Sequence, residues 1–358
     1  MFTSEHWRRL RDTSRPRLVF SAGLGLAFAV TLVVCTRALA VWTSDQNYRI
    51  QAVNALGPET RVLITGSSHV FATLNPALIH IPSMNLAAPV CSYVCVEGIV
   101  RGNLAKVPQL EALVIELDVV PLFYDTLRAY GGDPRPLLEL DPDLFAMAIS
   151  PWEKYELWRD RTLERSFLGP LFRPGKVTPA QALPRFRGER RSEDPVVAPG
   201  YANGPEVMSA DDTGAARVAQ HLREAGDLAE LPRNEAALRR VLQLGRERQL
   251  KLALLRFPHH PSYWAALPVA WQQELDALLA RLEQDLPGSF VYWDFGELPW
   301  LLDTDYRNGD HINDNATARV SAAFEQKLES WLGGATSRAD NPRLERTMSA
   351  TDDRATLH

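Results

Sequence analysis

TGSSHVF, residues 65–71, follows the apolar run Val62-Leu63-Ile64. A short apolar run that ends in glycine and leads into serines reads as a buried strand turning into a helix. Gly66 allows a tight turn there. Two readings of Ser67 and Ser68 stand side by side. They cap the helix, as serines at such positions commonly do, or one is a nucleophile beside backbone N–H groups that stabilise an oxyanion.

The same alternation of strand and helix recurs downstream. Glu111 to Leu117 (EALVIEL) reads as a second strand, almost wholly apolar, as parallel strands covered on both faces are. Gly98 to Lys106 supplies a helix between the two strands. Ala237, Leu238, Val241, Leu242 and Gly245 recur with helical period, with Asn234 suited to cap the start. Lys251 to Phe257 is the next strand, Val269 to Leu286 the next helix and Phe290 to Phe295 the last strand. A loop with Asp310-His311 follows, then a helix from Ala316 to Leu332 capped by Asn313 or Asp314. The expected fold is a three-layer α/β domain on a parallel sheet. Active residues of such sheets gather beyond the C-terminal strand ends, where Ser67, Ser68, His259, His260 and His311 all fall.

Composition bounds the partners. The 358 residues are 46% hydrophobic and 23% charged with a net charge of −5, so a full core is expected and nucleic-acid binding is not. Leu18 to Cys35 is uncharged and continues after Arg37 to Trp42, which suits a membrane-crossing helix. A cleaved signal peptide is the competing reading, through Ala38-Leu39-Ala40. Arg8, Arg9, Arg11, Arg15 and Arg17 place residues 1–17 in the cytoplasm and the body beyond the inner membrane, held by a single pass. The expected division is a cytoplasmic stretch 1–17, an anchor 18–42, a domain of 43–124 and 234–332, an irregular insertion or cap over 125–233, and a polar tail 333–358. Of three cysteines, Cys91 and Cys95 either pair in an oxidising compartment or stay as buried thiols. No spacing resembles a metal site, and no metal or cofactor is expected; His259-His260 stand isolated in sequence.

Asn308-Gly309-Asp310-His311-Ile312-Asn313 stands before the last helix, where a catalytic base fits. With Gly66-Ser67-Ser68, it resembles the SGNH/GDSL hydrolase superfamily, whose fold is a flavodoxin-like parallel sheet. The resemblance is closer to a single-anchor extracytoplasmic branch that includes D-alanyl transfer and alginate O-acetylation proteins. Leu74-Asn75-Pro76, Asn85-Leu86-Ala87 and His311-Ile312-Asn313 carry that closer likeness. It covers about residues 60–125 and 234–332. It implies Ser68 as nucleophile, His311 as base, Asn308 or Asp310 as the group that holds the base, and Gly66, Asn85 and Ala87 around the oxyanion. Asn308 departs from the family's aspartate and Ala87 from its glycine. The family's Gly-x-Asn-Asp block is missing, with Asp118 the nearest polar stand-in. Asn308 is expected to orient His311 while Asp310 points to solvent or to the next helix, and His69 lines the site or supports it. The implied activity is acyl transfer or ester hydrolysis on a cell-envelope polysaccharide or related polymer, beside a multi-spanning membrane acyltransferase. The alternative is a degenerate scaffold or glycan-binding subunit.

Overall fold

The structure, a computed structural model, describes residues 23–28, 31, 47–125, 196–225 and 228–333. The chain forms two units, one of residues 1–47 and 151–192 and the other of 48–150 and 193–358. In the first, Gly23 to Phe28 is helical, with Leu24, Leu26 and Phe28 exposed. Most of the anchor read over 18–42 lies outside the described residues. Among the described residues, no helix is long and apolar enough to cross a membrane. The tail lies outside them beyond Gly333.

The second unit is an α/β domain on a parallel five-stranded sheet. Its strands are β1 (Val62–Thr65), β2 (Ser83–Asn85), β3 (Ala112–Glu116), β6 (Lys251–Arg256) and β7 (Val291–Asp294), in the order β2-β1-β3-β6-β7. This is a doubly wound order, with its switch between β1 and β3. Every residue of β1 and β3 is buried, which is why both read as unbroken apolar runs. Side chains alternate between the two faces. Val62, Ile64, Val114, Ala253, Leu255 and Trp293 join one core with helices α2 (Ser68–Thr73) and α9 (Asp314–Leu332). The other face meets α6 (Leu231–Glu247), where Gly245 lies so close to Leu252 that a Cβ would collide with its side chain. Helix α6 packs in turn on α3 (Tyr93–Asn103) and α4 (Val119–Phe123).

Several boundaries differ from the sequence reading. Helix α3 begins at Tyr93 rather than Gly98, while Ser44 to Pro58, which reads as a linker or first helix, holds helix α1 (Asn47–Asn54). Asn234 is no cap. Helix α6 starts at Leu231, and the Asn234 amide instead donates to the carbonyls of Leu122 and Tyr124, both at 2.9 Å. Asn313 does cap α9, accepting from Asn315 N at 3.1 Å. The Asp310-His311 loop is a small antiparallel hairpin, β8 (Tyr306–Asn308) with β9 (His311–Ile312).

Within the stretch 125–233 the structure describes a hairpin, β4 (Val196–Ala198) with β5 (Tyr201–Asn203), and helix α5 (Gly214–Ala225). Both belong to the second unit. Asn203 donates to Ala72 O at 2.7 Å and to Ile312 O at 2.9 Å, tying α2 to β9. Helix α5 packs on α7 (Pro261–Ala266), and α8 (Val269–Asp285) completes the helices.

Cys91 and Cys95 form a disulfide, both fully buried, so the paired alternative is the one observed. It ties the segment after β2 to the first turn of α3. Closing so short a loop restricts the unfolded chain by about 2 kcal/mol. Reduction, or Cys91→Ser with Cys95→Ser, should lower unfolding stability by that amount in a urea titration read by circular dichroism. An unchanged midpoint would mean that the bond constrains nothing the helix has not already fixed.

Candidate active site

The C-terminal ends of β1, β3 and β6 and the β8–β9 turn converge on one buried polar cluster. Gly66 ends β1 at φ +156°, and a Cβ there would strike Glu116 and Val70, so only glycine lets the chain turn against β3. Ser67 is the cap of α2: its Oγ accepts from His69 N and donates to Glu116 Oε1 at 2.9 Å, and its N–H donates to Glu116 Oε2. Ser67 is fully buried, whereas Ser68, the first residue of the helix, is partly exposed. Among the described residues, neither the Ser68 hydroxyl nor its N–H makes a hydrogen bond. Capping and exposure are thus divided between the two serines.

His311 stands on β9, the strand against which α2 packs. Its Nδ1 lies 3.1 Å from Asn308 Oδ1 and 2.9 Å from Asp310 Oδ1, and its Nε2 bonds to nothing described. Asn308 Oδ1 also accepts from the N–H groups of Asp310 and His311, at 3.1 and 2.9 Å, which shapes the turn. The next contacts position that turn. Gly309 O accepts from His260 N at 3.1 Å, and Gly309 N donates to Asp212 O at 2.8 Å. Burial pushes the His311 pKa down to about 4, helped by the charges of His69 and Arg217 and opposed by Asp310. His311 is therefore a neutral imidazole near pH 7, able to accept a proton at Nε2.

Asp310 does not point to solvent. Its side chain is fully buried and takes Arg217 Nε at 2.6 Å and Nη2 at 3.0 Å, with His221 Nε2 at 3.1 Å and His69 Nε2 at 3.4 Å. Burial opposes its charge, but His311, His221 and His69 around it hold the carboxyl well below its usual range. Arg217 and His221 come from α5, inside the stretch read as an insertion.

His69 is at the centre rather than the lining. Its Nδ1 lies 2.8 Å from Glu116 Oε1, and its ring is 5.0 Å from that of His311 and 4.5 Å from that of His259. Burial lowers its pKa, but bonds to Asp310 and Glu116 outweigh this and raise it to about 10, so it is an imidazolium. His259 is not isolated either. It is buried beside His69 and Asp118 and pushed down to about 4, chiefly by burial.

The residues expected around the oxyanion are placed differently from one another. Gly66 is at the turn. The Asn85 amide donates to Val70 O and Leu74 O, both at 3.1 Å, and its Oδ1 accepts from Ala87 N at 3.0 Å. Ala88 N donates to Gly66 O at 3.1 Å. The N–H groups of Ala87 and Ala88 are thus already engaged, and that of Ser68 is left open among the described residues. Sequence reasoning missed Glu116, Arg217 and His221. Glu116 had a signal: an acid at the end of an otherwise apolar strand, which burial tolerates only with partners.

No family model and no curated protein matches the chain.

Proposed function

We propose that the chain is an SGNH-like, serine-dependent acyltransferase or esterase, anchored in the inner membrane and working outside the cytoplasm on O-acyl groups of a cell-envelope polysaccharide or related polymer. The observation that carries this reading is His311, with Nδ1 held by Asp310 and Asn308 and Nε2 left open, on the strand packed against the helix of Ser68. The Cys91–Cys95 disulfide supports an oxidising compartment. The five arginines before Leu18 support the topology, with a multi-spanning membrane acyltransferase as partner.

In this reading Ser68 Oγ attacks the acyl carbonyl while His311 Nε2 takes its proton. Asp310 stabilises the imidazolium so formed and keeps the ring in the useful tautomer. The Ser68 N–H faces the developing oxyanion. As the ester bond breaks, His311 returns the proton to the leaving alcohol. An acceptor hydroxyl or water then attacks the acyl-serine, giving its proton to His311, and Ser68 is released with its proton restored. No metal or cofactor enters these steps.

The full chain, given p-nitrophenyl acetate and an acetyl-free envelope polysaccharide, should release nitrophenol and place acetyl groups on the polymer. Release with no acetyl on the polymer would make it an esterase. A folded chain that does neither favours a second reading, a scaffold or glycan-binding subunit. The engaged Ala87 and Ala88 N–H groups favour that second reading, because oxyanion holes use several backbone donors and these two are taken.

A further inference from the structure

Two atoms of the buried cluster have no part in the acyl-transfer reading. Asp118 Oδ2 and His259 Nε2 are buried, have no hydrogen-bond partner among the described residues, and face each other at 3.3 Å. Their neighbouring atoms explain their orientation. Asp118 Oδ1 caps α4 by accepting from Val119 N at 2.6 Å. His259 Nδ1 donates to Phe257 O at 3.0 Å, which fixes the tautomer and leaves a lone pair on Nε2. A carboxylate oxygen and an imidazole lone pair, both out of water, are a costly juxtaposition unless a positive centre binds both.

His69 completes the set. Its Nδ1 is 3.7 Å from Asp118 Oδ2, and the three side chains offer donor atoms within 4.8 Å of one another. We propose that His69, Asp118 and His259 bind one divalent transition-metal ion of the zinc class, on the buried side of the Ser68–His311 pair. Two imidazoles and a carboxylate are a donor set that suits zinc. Tetrahedral bonds of about 2.0–2.1 Å place neighbouring donors roughly 3.3–3.4 Å apart; the Asp118–His259 pair stands at 3.3 Å, and His69 would close in from 3.7 Å.

The outer contacts match what metal-ligating histidines need. Each ligating ring has an acceptor on its far nitrogen: Phe257 O for His259, and Asp310 Oδ2, at 3.4 Å, for His69. Binding there would replace the contact that His69 Nδ1 now makes with Glu116 Oε1 at 2.8 Å. The ion would also cross-link the chain ends beyond β1, β3 and β6. The inference does not rest on the acyl-transfer reading, in which none of these three residues takes a step.

The test uses the purified full chain, stripped with EDTA and titrated with Co²⁺ as a spectroscopic probe. One equivalent should give the intense visible bands of low-coordinate cobalt, and Zn²⁺ should bleach them. Zn²⁺ should also raise the Tm of the unmodified chain. Asp118→Asn and His259→Gln should each weaken cobalt binding about a hundredfold or more, while Ser68→Ala leaves it unchanged, so that a failed serine mechanism and a failed metal site are told apart. Bands that survive both ligand substitutions would overturn the proposal. So would an unmodified chain whose spectrum and Tm respond to neither metal, whatever the variants do.

Discussion

Ser68→Ala should abolish labelling of the full chain by a fluorophosphonate probe and cut acetyl-ester turnover by roughly 10⁴-fold or more, as loss of a serine nucleophile does elsewhere. It should do so at almost no cost to the fold. The Ser68 hydroxyl bonds to nothing described and is partly exposed, so truncation should change stability by no more than about 0.5 kcal/mol. Ser67→Ala should give the opposite profile. Its buried Oγ donates to Glu116 at 2.9 Å and caps α2, so its loss should cost roughly 1–3 kcal/mol, with labelling retained in the folded fraction. Labelling and urea unfolding, measured on both variants, separate the roles. Labelling that survives Ser68→Ala and vanishes in a folded Ser67→Ala would move the nucleophile to Ser67.

This contrast shows what the sequence alone could carry. Gly66 and the apolar run before it sufficed for the strand, the turn and the serine pair, because a parallel strand buried on both faces is apolar throughout. The strands read over 111–117, 251–257 and 290–295 lay within a residue or so of β3, β6 and β7, and the cap at Asn313 stood where it was read. What sequence could not give was convergence. His69 and Asp310 are 241 positions apart and meet only because the β8–β9 turn comes to lie beyond the C-terminal end of β1. His259 looked like half of a surface pair until β6 placed it under His69. Arg217 and His221 sat in a stretch with no strand rhythm, so nothing local marked them as partners of Asp310. The division of labour between the two serines was also hidden, since adjacent serines differ here only in which one the helix uses as its cap.

Asp310→Asn should be far from silent, although the spacing Asn308-x-x-His311 suggested that Asn308 alone could hold the base. Five contacts decide the matter: two from Arg217, and one each from His221, His69 and His311, on a carboxylate with no exposed side-chain surface. An amide offers one acceptor oxygen and turns two N–H donors toward groups that are donors themselves. The Arg217 guanidinium would lose the charge that pairs it, at a cost of about 3 kcal/mol to the fold. Turnover should fall by about 10⁴-fold in the folded protein, because the His311 imidazolium loses its carboxylate and its tautomer. A purely structural role predicts the first effect without the second, so the two are separated by a rescue. Asn308 Oδ1 already lies 3.1 Å from His311 Nδ1, so Asn308→Asp in the Asp310→Asn background places a carboxylate on the same proton. Turnover should recover by about tenfold or more while the stability lost at Arg217 stays lost. Asn308→Asp alone should bring no gain, since a second carboxylate beside Asp310 adds like-charge repulsion. Acetyl-ester kinetics and urea midpoints on the three variants check this, and Asp310→Asn turnover within tenfold of the parent would remove Asp310 from the mechanism and return the role to Asn308.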